Sequence, residues 1–222
     1  MTTVGIIGSG MIGGTVARLS VAAGHHVVVS NSRGPETLAE LAAELGPLAT
    51  AGTAGQAAEA GDLVLVSVPV KAFGDLPVKA LAGKPVMDTG NYYPQRDGHL
   101  DELDTGALTS SGLLQRDLPD AQVVKVFNNI FFKHLASLAR PHGAQDRSAL
   151  PIAGDSAAAK AAVTAFLDSI GYDAVDAGSL ADSWHQEPGT PVYGTPYGPF
   201  TDEAGTVAPA ARIHADLVGA HR

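Results

Sequence analysis

Short apolar runs alternate with alanine-rich stretches of three-to-four-residue period along the first 180 residues or so. Strands that cross over through helices into a mostly parallel sheet leave this pattern. Eight runs predict strands, at 4–7, 26–31, 48–51, 63–68, 85–88, 123–127, 149–153 and 173–176. Most are apolar at successive positions rather than every second one, as expected of strands covered by helices on both faces. Helices are predicted at 11–23, 35–45, 53–60, 72–81, 130–138 and 156–170, with a closing helix at 208–217. Pro35 suits a first turn, while Gly24, Gly46 and Gly171 suit C-terminal stops. The segments 89–112 and 187–199 break the rhythm and read as long loops. The fold class that follows is α/β, doubly wound and mostly parallel, with residues 1–180 as the main domain and 181–222 as a C-terminal arm.

A length of 222 residues fits one large domain with such an arm. The formal net charge of −9 supplies no basic stripe for a phosphate backbone, so nucleic acid is not an expected partner. Without cysteine there is no thiolate nucleophile, disulfide or sulfur-ligated metal. The opening residues lack a basic segment, and no apolar run reaches the ~18 residues of a membrane span, so a cytoplasmic protein with no membrane partner is expected. Asp97, His99, Asp101 and Asp104 match no metal-ligand spacing, and no metal is expected.

The chemistry begins at Gly8-Ser9-Gly10-Met11-Ile12-Gly13, a G-x-G-x-x-G run placed directly after a strand and before a helix. This is the arrangement of a Rossmann-type dinucleotide site. Gly8 permits the tight turn, Gly10 the approach of a pyrophosphate and Gly13 the close packing of helix on strand, while free amides at the helix start face the anion. The second strand ends in Ser30-Asn31-Ser32-Arg33-Gly34, with no acid to take a ribose 2′-hydroxyl. An arginine there suits the 2′-phosphate of NADP(H), through a charge-assisted contact. Farther along the same sheet edge, Val68 and Pro69 are expected to line the cofactor. The ends of two later strands deliver Asn91, Tyr92 and Asn129, the candidate catalytic and positioning residues. Amides can orient a carboxamide or carbonyl, and a phenol, or His134, can supply a proton.

The segments Ile6-Ile7-Gly8-Ser9-Gly10-Met11-Ile12-Gly13, Ser30-Asn31-Ser32-Arg33-Gly34, Ser67-Val68-Pro69 and Val124-Lys125-Val126-Phe127-Asn128 resemble the F-420-dependent NADP reductase family. The resemblance spans most of residues 1–180 and implies hydride transfer between NADP(H) and a deazaflavin such as coenzyme F-420, or a flavin. It also implies that Ser9, Met11, Ile12, Asn31, Ser32 and Arg33 hold NADP. Residues 88–98 and 187–198 depart from the family pattern, which leaves the small-molecule acceptor open. Two alternatives stand beside the leading reading: an NADPH-dependent reductase of a small carbonyl or imine, and a non-catalytic NADP(H)-sensing or partner-binding module. Trp184, Tyr193, Tyr197 and Phe200 make the arm aromatic, so it is expected to pack on the acceptor site or on a second subunit of a homodimer.

Overall fold

The valine-rich runs become strands because each faces a helical layer on both sides. In β4 (Leu63–Val66) every residue is buried, Leu63 and Leu65 joining one apolar cluster and Val64 and Val66 the other. The computed structural model describes residues 1–221. From the start of the chain it runs β1 (Thr3–Ile7), α1 (Met11–Ala22), β2 (His26–Ser30), α2 (Ala39–Leu45), β3 (Ala49–Ala51), α3 (Ala54–Ala60) and β4. It continues through α4 (Val78–Leu81), β5 (Pro85–Asp88), α5 (Pro94–Asp97), α6 (Asp101–Asp104), α7 (Ser110–Asp117), β6 (Gln122–Lys125) and α8 (Phe132–Ser137). The last elements are β7 (Ala149–Gly154), α9 (Ala157–Ser169), β8 (Asp173–Asp176) and α10 (Ala210–Val218).

The eight strands form one sheet in the order β3-β2-β1-β4-β5-β6-β7-β8. All pairs are parallel except β6 with β7. This is the doubly wound, mostly parallel Rossmann-type sheet that the pattern predicts. The chain winds outward from β1 to β3 and restarts at β4 on the other side of β1, so a crevice opens at the carboxyl ends of β1 and β4.

Two local differences have physical causes. The helix expected over 72–81 is a 3-10 segment, Val70–Asp75, followed by the single turn of α4. Pro77 forces Leu76 into extended backbone, at φ −71 and ψ 147, and ends the first segment there. Helix α7 lies where a loop was expected to end, its first turn held by the Thr109 hydroxyl, which accepts from Gly112 N at 3.0 Å.

The antiparallel β7 decides where the arm goes. Since β8 runs parallel to β7, both end at the edge of the sheet away from the crevice. The 3-10 segment Leu180–Gln186 then returns along β6, where Gln186 Nε2 donates to the Lys125 carbonyl at 3.2 Å. The arm thereby reaches the carboxyl edge of the sheet. Its Val192, Tyr197, Ala208, Ile213 and Leu217 are buried in the same cluster as β1 and β2. Among the described residues no helix is long and apolar enough to cross a membrane.

Candidate functional site

The three motif glycines lack side chains for different reasons. Gly8 has φ +100, and a Cβ there would lie 2.2 Å from the Ser67 carbonyl oxygen. At Gly13 a Cβ would lie 1.9 Å from the Gly8 carbonyl oxygen, so α1 could not sit as close to β1. Gly10 is different: its backbone is ordinary, at φ −73, and a Cβ would meet nothing within 4 Å. Packing does not require a glycine there, but a ligand pressed against the backbone would. Gly10 is also the N-cap of α1, which has no side-chain cap and no acid in its first turn, so the first amides keep their positive field for an anion.

At the end of β2, Asn31 forms a tight turn: its Oδ1 accepts from Arg33 N at 2.9 Å, and its Nδ2 donates to Thr37 Oγ1 at 2.9 Å. Ser32 and Arg33 are left exposed on a cleft of about 390 Å3, shared with Gly8, Ser9, Gly10, Val68 and Pro69. The Arg33 guanidinium has no hydrogen bond or ion pair among the described residues. This end of the site therefore combines an uncapped helix start, an open glycine and an unpaired cation, the donor set that a phosphorylated dinucleotide requires.

Met11 and Ile12, the residues after Gly10, line a second cleft, of about 320 Å3, with Thr89, Asn91, Asn128, Asn129, Phe131, Tyr193 and Phe200. Its floor is the turn after β6, where Phe127, fully buried, adopts φ +64. A left-handed phenylalanine costs ~1–3 kcal/mol and persists only where its surroundings enforce it. Here the asparagines do so. Asn91 Nδ2 donates to the Asn128 carbonyl at 2.8 Å, while Asn128 Nδ2 returns bonds to Asn91 Oδ1 at 2.9 Å and to the Gln186 carbonyl at 2.7 Å. Asn129 Nδ2 donates to the Val192 carbonyl at 3.0 Å, within 3.3 Å of the Tyr197 hydroxyl. The amide nitrogens thus tie the arm to the sheet edge, and the Oδ1 atoms of Asn128 and Asn129, both buried, remain without a partner.

Tyr92 does not join Asn91 and Asn129 at the cleft. Its hydroxyl donates to Asp104 Oδ1 at 2.7 Å and accepts from Leu100 N at 2.9 Å, which spends it on holding the 98–104 loop. Desolvation, then Asp104, pushes this phenol above its ordinary range. The phenol on the cleft is Tyr193, from the arm, whose hydroxyl lies 2.6 Å from that of Tyr93. Burial, followed by the bond to Tyr93, holds Tyr193 well above the ordinary phenol range. His134 is turned away as well, with Nε2 bonded to the Asp202 carbonyl at 2.6 Å. Of the acidic-loop residues, Asp104 serves Tyr92 and His99, and Asp97 serves Arg96. Among the described residues no group of His, Asp and Glu has the makings of a metal site.

Sequence reasoning missed the buried ion pair beneath the site. Lys125 and Asp88 face each other in the β5–β6 register, both fully buried, with Nζ 3.9 Å from Oδ2. Lys125 Nζ also donates to the Gly90 carbonyl at 2.8 Å, to Ser110 Oγ at 2.8 Å and to Ser111 Oγ at 3.0 Å. Ser111 in turn donates to Asp88 at 2.6 Å, and Ser110 to Glu187 of the arm at 2.8 Å. The network sets the turn that carries Asn91. A lysine inside the apolar run Val123–Val126 was the available signal, because a buried ammonium requires partners.

A family profile, coenzyme F420-dependent NADP oxidoreductase, matches residues 3–92, from β1 to the Asn91 turn. SMa0349, a hypothetical protein of Sinorhizobium meliloti with a crystal structure, is 30% identical, with 86% of this chain and 93% of that one covered at a TM-score of 0.75. A protein of Arthrobacter sp. FB24, provisionally assigned as an F420-dependent NADP reductase, is 25% identical, with 82% and 87% of the two chains covered at a TM-score of 0.66. The Escherichia coli K12 protein YjhV is 42% identical over 53 residues, which are 24% of this chain and 39% of YjhV, so the match spans well under half of that relative.

Proposed function

Since the chain belongs to the family of coenzyme F420-dependent NADP oxidoreductases, we propose that it transfers a hydride between NADP(H) and a planar acceptor of the deazaflavin or flavin kind. The observation that carries this reading is that the start of α1 contributes to two clefts, Gly10 lining one and Met11, the next residue, lining the other. NADPH supplies the hydride when bound.

The chain's residues divide the remaining work by position. The backbone at Gly10 and the first amides of α1 meet the pyrophosphate, and Arg33 pairs with the 2′-phosphate. Ser9, Gly8 and Gly13 shape that loop, Asn31 holds the turn that presents Ser32 and Arg33, and Val68 and Pro69 exclude water from the wall of the groove. Met11 and Ile12 lead into the acceptor cleft, where Phe131, Phe200 and Tyr193 offer ring faces. The free Oδ1 atoms of Asn128 and Asn129 are acceptors suited to an N–H or O–H of a bound ring. Tyr193, Gly194 and Phe200 of the arm wall this end. Alignment of the two rings, rather than an acid or base, provides most of the acceleration.

Oxidation of NADPH, followed by its absorbance with F420, flavins and small carbonyls as acceptors, tests the reading. Turnover with the planar acceptors is expected. Turnover confined to carbonyls or imines, or tight NADPH binding with no turnover at all, would overturn it.

A further inference from the structure

The two ends of the groove treat charge in opposite ways. At the dinucleotide end Arg33 stands exposed and unpaired among the described residues. At the acceptor end the wall is neutral: Met11, Phe131, Phe200 and Tyr193 supply the surface, and Asn128 and Asn129 the polar groups. The cations closest in the chain are already matched. Lys133, next to the cleft residue Phe132, is paired with Glu203, three positions beyond Phe200. Arg96 lies 5.0 Å over the Tyr93 ring, pairs with Asp97 at 2.8 Å and donates to the Asn91 carbonyl at 2.5 Å. Asp202 and Glu203 follow within three positions of Phe200, which lines the cleft.

An anionic group entering here finds no unpaired cation among the lining residues, in a protein of net charge −9. A neutral ring gains aromatic contact and loses nothing. On the premise that this cleft is the acceptor site, we propose that the acceptor is an uncharged planar molecule, and that the cleft selects against forms of the same ring bearing phosphate or carboxylate. The reaction balances as NADPH, a proton from solvent and the oxidised ring giving NADP+ and the dihydro ring, with two electrons moving as the hydride.

Riboflavin and flavin mononucleotide share one ring and differ by a phosphate, which makes them matched probes. F420, with its phosphodiester and carboxylate tail, is the strongly anionic third. Binding is read by quenching of ring fluorescence in the presence of NADP+, and turnover by NADPH oxidation. Riboflavin is expected to be at least tenfold better than flavin mononucleotide in both Kd and kcat/KM, with F420 weaker again. Glu203→Gln, a change at an exposed ion pair, releases Lys133 and is expected to narrow the riboflavin preference severalfold while leaving riboflavin itself unchanged. Equal or tighter binding of either anionic probe, or no binding of riboflavin, overturns the proposal. If riboflavin binds selectively but no planar acceptor is reduced, charge selection stands and the hydride reading falls. If all three turn over equally, the hydride reading stands and charge selection falls.

Discussion

Replacing each motif glycine by alanine separates the packing role from the ligand role. At Gly8 the alanine must adopt φ +100 and place its Cβ 2.2 Å from the Ser67 carbonyl oxygen. The left-handed backbone costs ~1–2 kcal/mol and the overpacking ~1–3, together roughly 2–5 kcal/mol, a large part of the ~5–15 kcal/mol that stabilises a typical domain. At Gly13 the alanine gains about 1 kcal/mol of helix propensity. That gain is outweighed, because the atom 1.9 Å away is the backbone oxygen of Gly8, which moves only if α1 lifts from β1. Gly10→Ala meets nothing within 4 Å at an unstrained φ of −73. Its gain of up to ~1 kcal/mol through the unfolded chain is opposed by a loss of similar size at the N-cap, where alanine is poorer than glycine, so stability should change by less than ~1 kcal/mol. Its effect should appear in NADPH affinity, with a loss of at least ~1.4 kcal/mol, or tenfold, because the new methyl fills the space assigned to the pyrophosphate. Denaturant midpoints and NADPH titrations of the three variants read both quantities. Wild-type NADPH affinity in Gly10→Ala would refute the pyrophosphate assignment, and an unchanged midpoint in Gly8→Ala would refute the packing account.

Four further outcomes are expected. Arg33→Ala weakens NADPH by ~1.5–3 kcal/mol, the scale of a lost bond to a charged group, and leaves NADH binding unchanged; equal losses in parallel titrations would argue against a 2′-phosphate contact. Lys125→Met strands the buried Asp88 carboxylate and should cost ~3–5 kcal/mol in denaturant unfolding, with Asp88→Asn in the same chain recovering much of the loss; strictly additive losses would contradict the pairing. Tyr92→Phe should cost ~0.5–1.5 kcal/mol in stability with unchanged kinetics, whereas Tyr193→Phe should raise the acceptor KM and spare NADPH binding; the reverse pattern would return Tyr92 to the site. Burial, chiefly, holds the His25 imidazole below its ordinary range, so the unfolded chain binds the proton more readily and stability falls as pH drops below the unfolded imidazole's ~6.5. Denaturant midpoints against pH should show a shallower decline in His25→Asn, and identical slopes would exclude this contribution.

The eight strands, the glycine loop and the Asn31–Arg33 turn were legible in the sequence because each is encoded by neighbouring residues. A buried strand needs successive apolar side chains, Gly8 needs a positive φ that other residues resist, and the Asn31 turn closes over two positions. Even the broken helix at 70–81 was encoded locally, in Pro77. What the local pattern states about a buried polar group is that it needs a partner, not which one. Lys125 inside an apolar run announced such a need, but only the β5–β6 register placed Asp88 opposite. Asn91 and Tyr93 meet Tyr193 across 102 and 100 residues of chain, and only because the antiparallel β7 sends the arm back to the crevice. Tyr92, which sequence placed at the site, is spent on the 98–104 loop a few residues on, and Tyr193 from the arm stands at the cleft instead. The end proposed for the dinucleotide is built from contiguous segments that carry their own geometry. The end proposed for the acceptor is assembled from the start of α1, the turns after β5 and β6, and the arm, and its composition was decided by packing.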